Sequence, residues 1–303
     1  MGDILIRAGS FIAIIVLGFV LRRVGFFKEG DFHVLSKITL KITLPASIVV
    51  SFATMELDPS LLVLTLLGFG GCMLYIGFAF LLNLRASRSR RAFDILNFTS
   101  YNIGLFTMPF VQNFLGPVGV MATSLFDTGN AVVCLGGSYG VASTVKDGSG
   151  FSAKRICKAL FTSVPFVSYL LMVLWNLSGI PVPKVLVSCA DVVKGANAFM
   201  AMLMIGVGFK LSANRQQIGY ILKVLAVRYG VATVLALLYY FVLPFPLEIR
   251  QTLVILAFSP IGSAAPAFTA ELKEDVGLAS AVNSICILCS IVIMVVLLSV
   301  MLY

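Results

Sequence analysis

Apolar stretches long enough to cross a bilayer recur from one end of this chain to the other, and no other feature limits its fold as much. Ten can be read, at about 4–21, 34–54, 60–84, 94–115, 117–144, 157–178, 185–209, 217–243, 250–270 and 276–302. A span needs about 20 residues, at about 1.5 Å each, to cross about 30 Å of hydrocarbon. Lipid offers the backbone no hydrogen-bond partners, so apolar runs of this length must be helices. Composition agrees: 59% of the 303 residues are hydrophobic and only 12% are charged. That balance excludes a soluble, secreted, disordered or fibrous chain. The expectation is an all-α polytopic membrane protein with short connections and no attached soluble domain. The first run continues into "LRRVGFF" without a small-residue exit, so it reads as a span and not as a cleavable signal. "MGDILI" lacks the hydroxyl residue that myristoylation wants at position 6.

The net charge of +9 would suit a nucleic-acid partner, but its placement argues for topology. On alternating sides of ten spans, one side collects Arg22, Arg23, Lys28, Arg85, Arg88, Arg90, Arg91, Lys146, Lys154, Arg155, Lys158, Lys210, Arg215 and Lys273. The other side holds Arg7, Lys184 and Arg250. The positive-inside rule then places "RASRSRR" in the cytoplasm and both termini outside it. The lipid bilayer is the expected partner, and nucleic acid has no part. The six cysteines all lie in or beside spans. Even the C-x-x-C at Cys286 and Cys289 reads as membrane-helix packing.

A polar linker, 146–156, divides the chain into spans one to five (1–145) and spans six to ten (157–303). Five is odd, so two similar halves must lie in opposite orientations, an inverted repeat of the kind found in secondary transporters. One internal match supports this. The fourth span carries "NIGLFTMP" (102–109), and the fourth span of the second half, the ninth overall, carries "PIGSAAP" (260–266). Pro109, Pro260 and Pro266 cannot donate to a helix ladder. Gly104 and Gly262 permit backbone angles that other residues resist. Unwinding is tolerated only where the backbone is buried in protein or lines a wet cavity. Two interrupted helices in matching positions therefore predict a midplane site where they cross. Their broken ends would offer N–H groups to an anion such as a carboxylate, with Asn102, Ser259 and Ser263 adding side-chain hydrogen bonds.

With these motifs assembled, the chain resembles the auxin efflux carrier family over nearly its whole length. "LGFVLRRVGFF" and "LSKITLKITLPASIV" are similar to that family's first loop and second span. "NIGLFTMP" resembles its broken fourth helix, "SLFDTGNAV" its fifth, "LSGIPVP" the exit from its sixth, "MLMIGVGFKL" its seventh and "SPIGSAAPAFTAEL" its broken ninth. The resemblance implies a ten-helix elevator fold shared with bile-acid and sodium–proton transporters. Helices 1, 2, 6 and 7 would form a scaffold, and helices 3–5 and 8–10 a moving transport domain. Asn102 and Pro109 would sit at the crossover, with Pro260 and Pro266 opposite. It also implies organic-anion substrates, malate- or malonate-like in bacteria and auxin-like in plants, and a homodimer through the scaffold. The plant carriers have a long loop between spans five and six and an Asp/Lys pair in the third span. Here the loop is short and 60–84 holds no charge, so a bacterial-type member of an inner (plasma) membrane is expected.

Ionisable groups inside spans are costly and default to functional candidates. Asp127, beside Asn130 in span five, reads either as a proton or cation site coupled to transport or as the partner of a basic residue. Lys41 shares a face of span two with Lys37 and Pro45 and could attract an anion or pair with an acid. Asn283 in span ten could face the site or join helices. Arg228 and the Asp191/Lys194 pair read as structural, and His33 as a surface residue. "DTG" at 127–129 resembles an aspartic-protease motif, but that chemistry needs a second carboxylate, and none lies at another span centre. No enzyme and no cofactor is expected; coupling to H+ or Na+ stays open. The expected function is an organic-anion carrier. A sodium-coupled symporter of the same fold and a ligand sensor or channel built on it are the alternatives.

Overall fold

The computed structural model describes residues 2–28, 30–54, 56–148, 151–209 and 215–302, without the side chains of residues 2–5, 7, 8, 215 and 216. Of the groups used above, Lys210, linker residues 149 and 150, and the side chains of Arg7 and Arg215 lie outside the described residues.

The regular elements among the described residues are all helices, with no strand. The first half runs α1 (Gly2–Arg23), α2 (Asp31–Ile38), α3 (Leu44–Ala53), α4 (Val63–Leu82), α5 (Arg88–Phe98), α6 (Met108–Phe114), α7 (Gly116–Val132) and α8 (Ser138–Asp147). The second half runs α9 (Ala153–Thr162), α10 (Val164–Leu177), α11 (Lys184–Lys194), α12 (Asn197–Gly208), α13 (Arg215–Phe241), α14 (Leu247–Ala257), α15 (Ala265–Glu271) and α16 (Val276–Met301).

Several junctions have a local cause. Wide π turns at Thr39–Thr43 and Ile103–Thr107 each lead into a helix whose second residue is proline, Pro45 in α3 and Pro109 in α6. A proline ring clashes with the carbonyl four residues back, and widening the turn relieves that clash. Pro165, also near a helix start, follows the break at Ser163.

Among the described residues, six stretches are long and apolar enough to span a membrane: Asp31–Ala53, Pro59–Leu82, Gly116–Asp147, Lys184–Gly208, Gln217–Phe241 and Val276–Met301. A seventh is the pair Ala153–Thr162 and Val164–Leu177, bent by 77°. The stretch expected as one straight span at 157–178 is therefore a short amphipathic helix followed by an apolar one. Expected spans one, four and nine fall outside this set. The first corresponds to α1, of 22 residues. The fourth and ninth are interrupted into pieces of 11 and 7 residues each, α5/α6 and α14/α15.

Helices meet backbone to backbone where they lack side chains. A Cβ on Gly206 would run into the Ile15 carbonyl, locking α1 against α12, and one on Gly129 into the Thr65 carbonyl, locking α4 against α7. In lipid, where apolar surface gains little by association, this close approach holds helices together. The stretch Gly116–Asp147, which holds α7 and α8, is the most enclosed of these six, and α7 touches α3, α4, α6, α10 and α14.

Candidate functional site: a crossing of two interrupted helices

Helix α5 ends at Phe98, and the chain runs without helix through Asn102 before turning through Ile103–Thr107 into α6. Helix α14 ends at Ala257, and the chain runs without helix to α15. The two unwound segments meet. The N–H of Asn102 donates to the carbonyl of Pro260 at 2.8 Å. These are the first residues of the two matched motifs. The bond has no reciprocal, because Pro260 has no N–H; the Asn102 carbonyl instead accepts from the N–H and Oγ1 of Thr107, both at 3.2 Å. Thr107 Oγ1 also lies 2.7 Å from Ser259 Oγ, tying α6 to the second segment.

Close approach explains Gly262: a Cβ there would collide with Ser100 Oγ and lie 3.0 Å from Cys134 Sγ. Ser100 itself has φ of 65°, a left-handed conformation that costs a non-glycine residue energy and marks functional segments.

Two side chains from other helices hold the unwound backbone. Asn130, on α7, pairs with Tyr101 as a neighbouring strand would. Its Oδ1 accepts from the Tyr101 N–H at 2.9 Å, and its Nδ2 donates to the Tyr101 carbonyl at 3.0 Å. Nδ2 also donates to Asp127 Oδ1 at 2.8 Å, while Asp127 Oδ2 accepts from the Tyr169 hydroxyl of α10 at 2.9 Å. Among the described residues no basic group pairs with Asp127. Arg228, on α13 and 1% exposed, reaches the crossing from the other side. It donates to the carbonyls of Phe98 (2.7 Å), Ser259 (2.9 Å) and Pro260 (3.3 Å).

Two cavities open at the crossing and share Asn102, Leu105 and Ser263. One, of about 120 Å³, is bounded by Gly104, Asp127, Asn130, Cys134 and the start of α10 including Tyr169. The other, of about 310 Å³, is bounded by Arg22, His33, Ser263, Pro266, Asn283 and the end of α12. Among the described residues, the one permanently charged group on the larger cavity is Arg22, with His33 beside it and no acid, so its electrostatics favour an anion. Asn283 Oδ1 is buried without a hydrogen-bond partner.

The structure thus brings together Asn102, Gly104, Ser263, Pro266, Asp127, Asn130 and Asn283. Ser259, Pro260 and Gly262 build the crossing but line neither cavity. Pro109 sits in the first turn of α6, where proline is tolerated; the interruption lies upstream, at 99–102. Lys41 is exposed on the outside of the bundle and lines neither cavity. Asp191 and Lys194 form an exposed pair at 3.5 Å.

Sequence reasoning passed over Arg228, Tyr169 and Tyr101 as site residues. An arginine in mid-span was a signal in itself; the tyrosines gave none. It also missed Asp94 on α5, fully buried, which accepts from Asn83 (2.7 Å) and Tyr220 (2.6 Å) and pairs with Arg90 (3.2 Å).

Interrupted helices that cross beside polar cavities are an arrangement found in membrane transporters. The match to known families agrees: residues 10–141 match the family model described as membrane transport protein, so this stretch is a domain of the auxin efflux carrier family. No curated protein matches the chain.

Proposed function

We propose that the protein is a secondary carrier of small mono- or dicarboxylates, malate- or malonate-like or auxin-like, working by an elevator movement. The observation that carries this reading is the pair of cavities at the crossing, where the helical turn Ile103–Thr107 that leads into α6 begins, opposite the start of α15. Orphan N–H groups and the positive end of the helix dipole favour a carboxylate there. Asn102 and Ser263 stand at both cavities, and Arg22 gives the larger one positive charge, with no acid on its lining among the described residues.

The moving parts follow from ten spans in two inverted halves, with the interrupted pairs as spans four and nine. Matched contacts support this layout: α1 packs on α12 as α10 packs on α3, and α4 packs on α7 as α13 packs on α16. In this reading α1–α3 and α9–α12 form the scaffold, and α4–α8 with α13–α16 carry the substrate. The Asp127–Tyr169 hydrogen bond then joins the two parts beside the crossing, a place where the charge state of Asp127 would couple to movement. Both termini lie outside the cytoplasm, the membrane is a bacterial inner membrane, and two copies associate through the scaffold.

The test is flux and binding in liposomes with a panel of mono- and dicarboxylates. Saturable uptake or counterflow of at least one of them is expected. Absence of binding and flux across the panel, in protein shown to be folded, would count against the organic-anion reading.

A further inference from the structure

The C-terminal ends of α5 and α14 converge at the crossing. A helix C-terminus carries about −0.5 elementary charge from its unpaired carbonyls. Two of them side by side, away from water, place about one negative charge in a buried site. Where interrupted membrane helices meet in this way, such carbonyls can coordinate a sodium ion from solution. Here the space is already filled. Arg228 donates one terminal nitrogen to the Phe98 carbonyl and the other to the carbonyls of Ser259 and Pro260. Its guanidinium carbon lies 4.5 Å from the Tyr75 ring centre and 5.0 Å from that of Tyr101. Among the described residues no carboxylate pairs with it.

An arginine buried this deeply without an acid is costly. The carbonyl at the end of α5, two carbonyls of the unwound segment just beyond α14 and the faces of two aromatic rings are what compensate it. The planar fork of a guanidinium suits this set better than an ammonium, because it donates in several fixed directions at once.

We propose that Arg228 is a tethered cation: it fills by covalent attachment the place that a dissolved monovalent cation would otherwise occupy, so the crossing assembles without Na+. The proposal concerns the crossing and stands whatever substrate is carried.

The test uses the purified full-length chain in detergent and reads thermal stability. For the wild type, exchanging NaCl for choline chloride is expected to leave the midpoint unchanged. For R228A, guanidinium or Na+ at tenfold excess over its Kd is expected to raise the midpoint by roughly 3–6 °C above the value in choline. A Na+-specific stabilisation of the wild type would overturn the proposal, as would an R228A protein that responds to guanidinium and Na+ no more than to choline. If R228A does not assemble, Arg228→Lys and Arg228→Met decide. The lysine keeps the charge and is expected to give more folded protein than the methionine of similar length; equal yield and equal midpoint would overturn the proposal.

Discussion

The two faces of the crossing are built from the same kind of backbone yet treated in opposite ways. On one face the C-terminal ends of α5 and α14 are closed by Arg228, which donates to the carbonyls of Phe98, Ser259 and Pro260. On the other face, where the turn Ile103–Thr107 and α15 begin, cavities of about 120 and 310 Å³ lie open beside Asn102 and Ser263. A negative pole sealed by the protein's own cation can serve as a rigid joint, whereas a positive pole left open can take a ligand. One broken helix pair supplies both because a helix dipole has two ends.

The sharpest way to break this contrast is to pry the crossing apart. Gly262→Val puts a side chain where Ser100 and Cys134 already stand, and should cost about 3 kcal/mol or more, seen as lost folded protein on size exclusion. Gly104→Ala serves as its control. That Cβ would lie 3.2 Å from a flexible Leu44 methyl, so the variant should stay folded; collapse of both would erase the distinction between the faces.

Next in size is Asn102→Ala. The Asn102 side chain caps no helix and borders both cavities, so carboxylate affinity should fall about 10–100-fold, the worth of about 1–3 kcal/mol, with little change in thermal midpoint. Unchanged affinity would move the ligand away from the open face. Asp127→Asn keeps the shape but removes the charge that faces Asn130 and Tyr169. Transport should then lose or shift its pH or cation dependence, measured as initial rate across pH; an identical profile would make Asp127 a purely structural anchor for Asn130. The smallest effect is expected for Lys41→Ala, less than about twofold in affinity, since its side chain lies outside both cavities. A large loss of binding there would mean that the open face is not where the anion sits.

Hydrophobic run length was enough to read helix and membrane, because lipid leaves the backbone no other hydrogen-bonded form. The matched "NIGLFTMP" and "PIGSAAP" pointed to the neighbourhood of two interruptions; the second contains its break, whereas the first follows the break at 99–102, with Gly104 and Pro109 in helical turns. Their meeting, through Asn102 and Pro260, is a contact between residues far apart in the chain. The place of each proline also depended on neighbours: Pro109 begins a helix where the motif alone suggested a break. Arg228 looked like a stray charge until α13 laid it against three carbonyls from two other segments. Asp127 showed its carboxylate in the sequence, but whether it would find a base or a tyrosine was for α10 to decide. Residue chemistry and periodicity are local and can be read along the chain. The neutralisation of a buried charge is a sum over everything within a few ångströms, and only packing determines who those neighbours are.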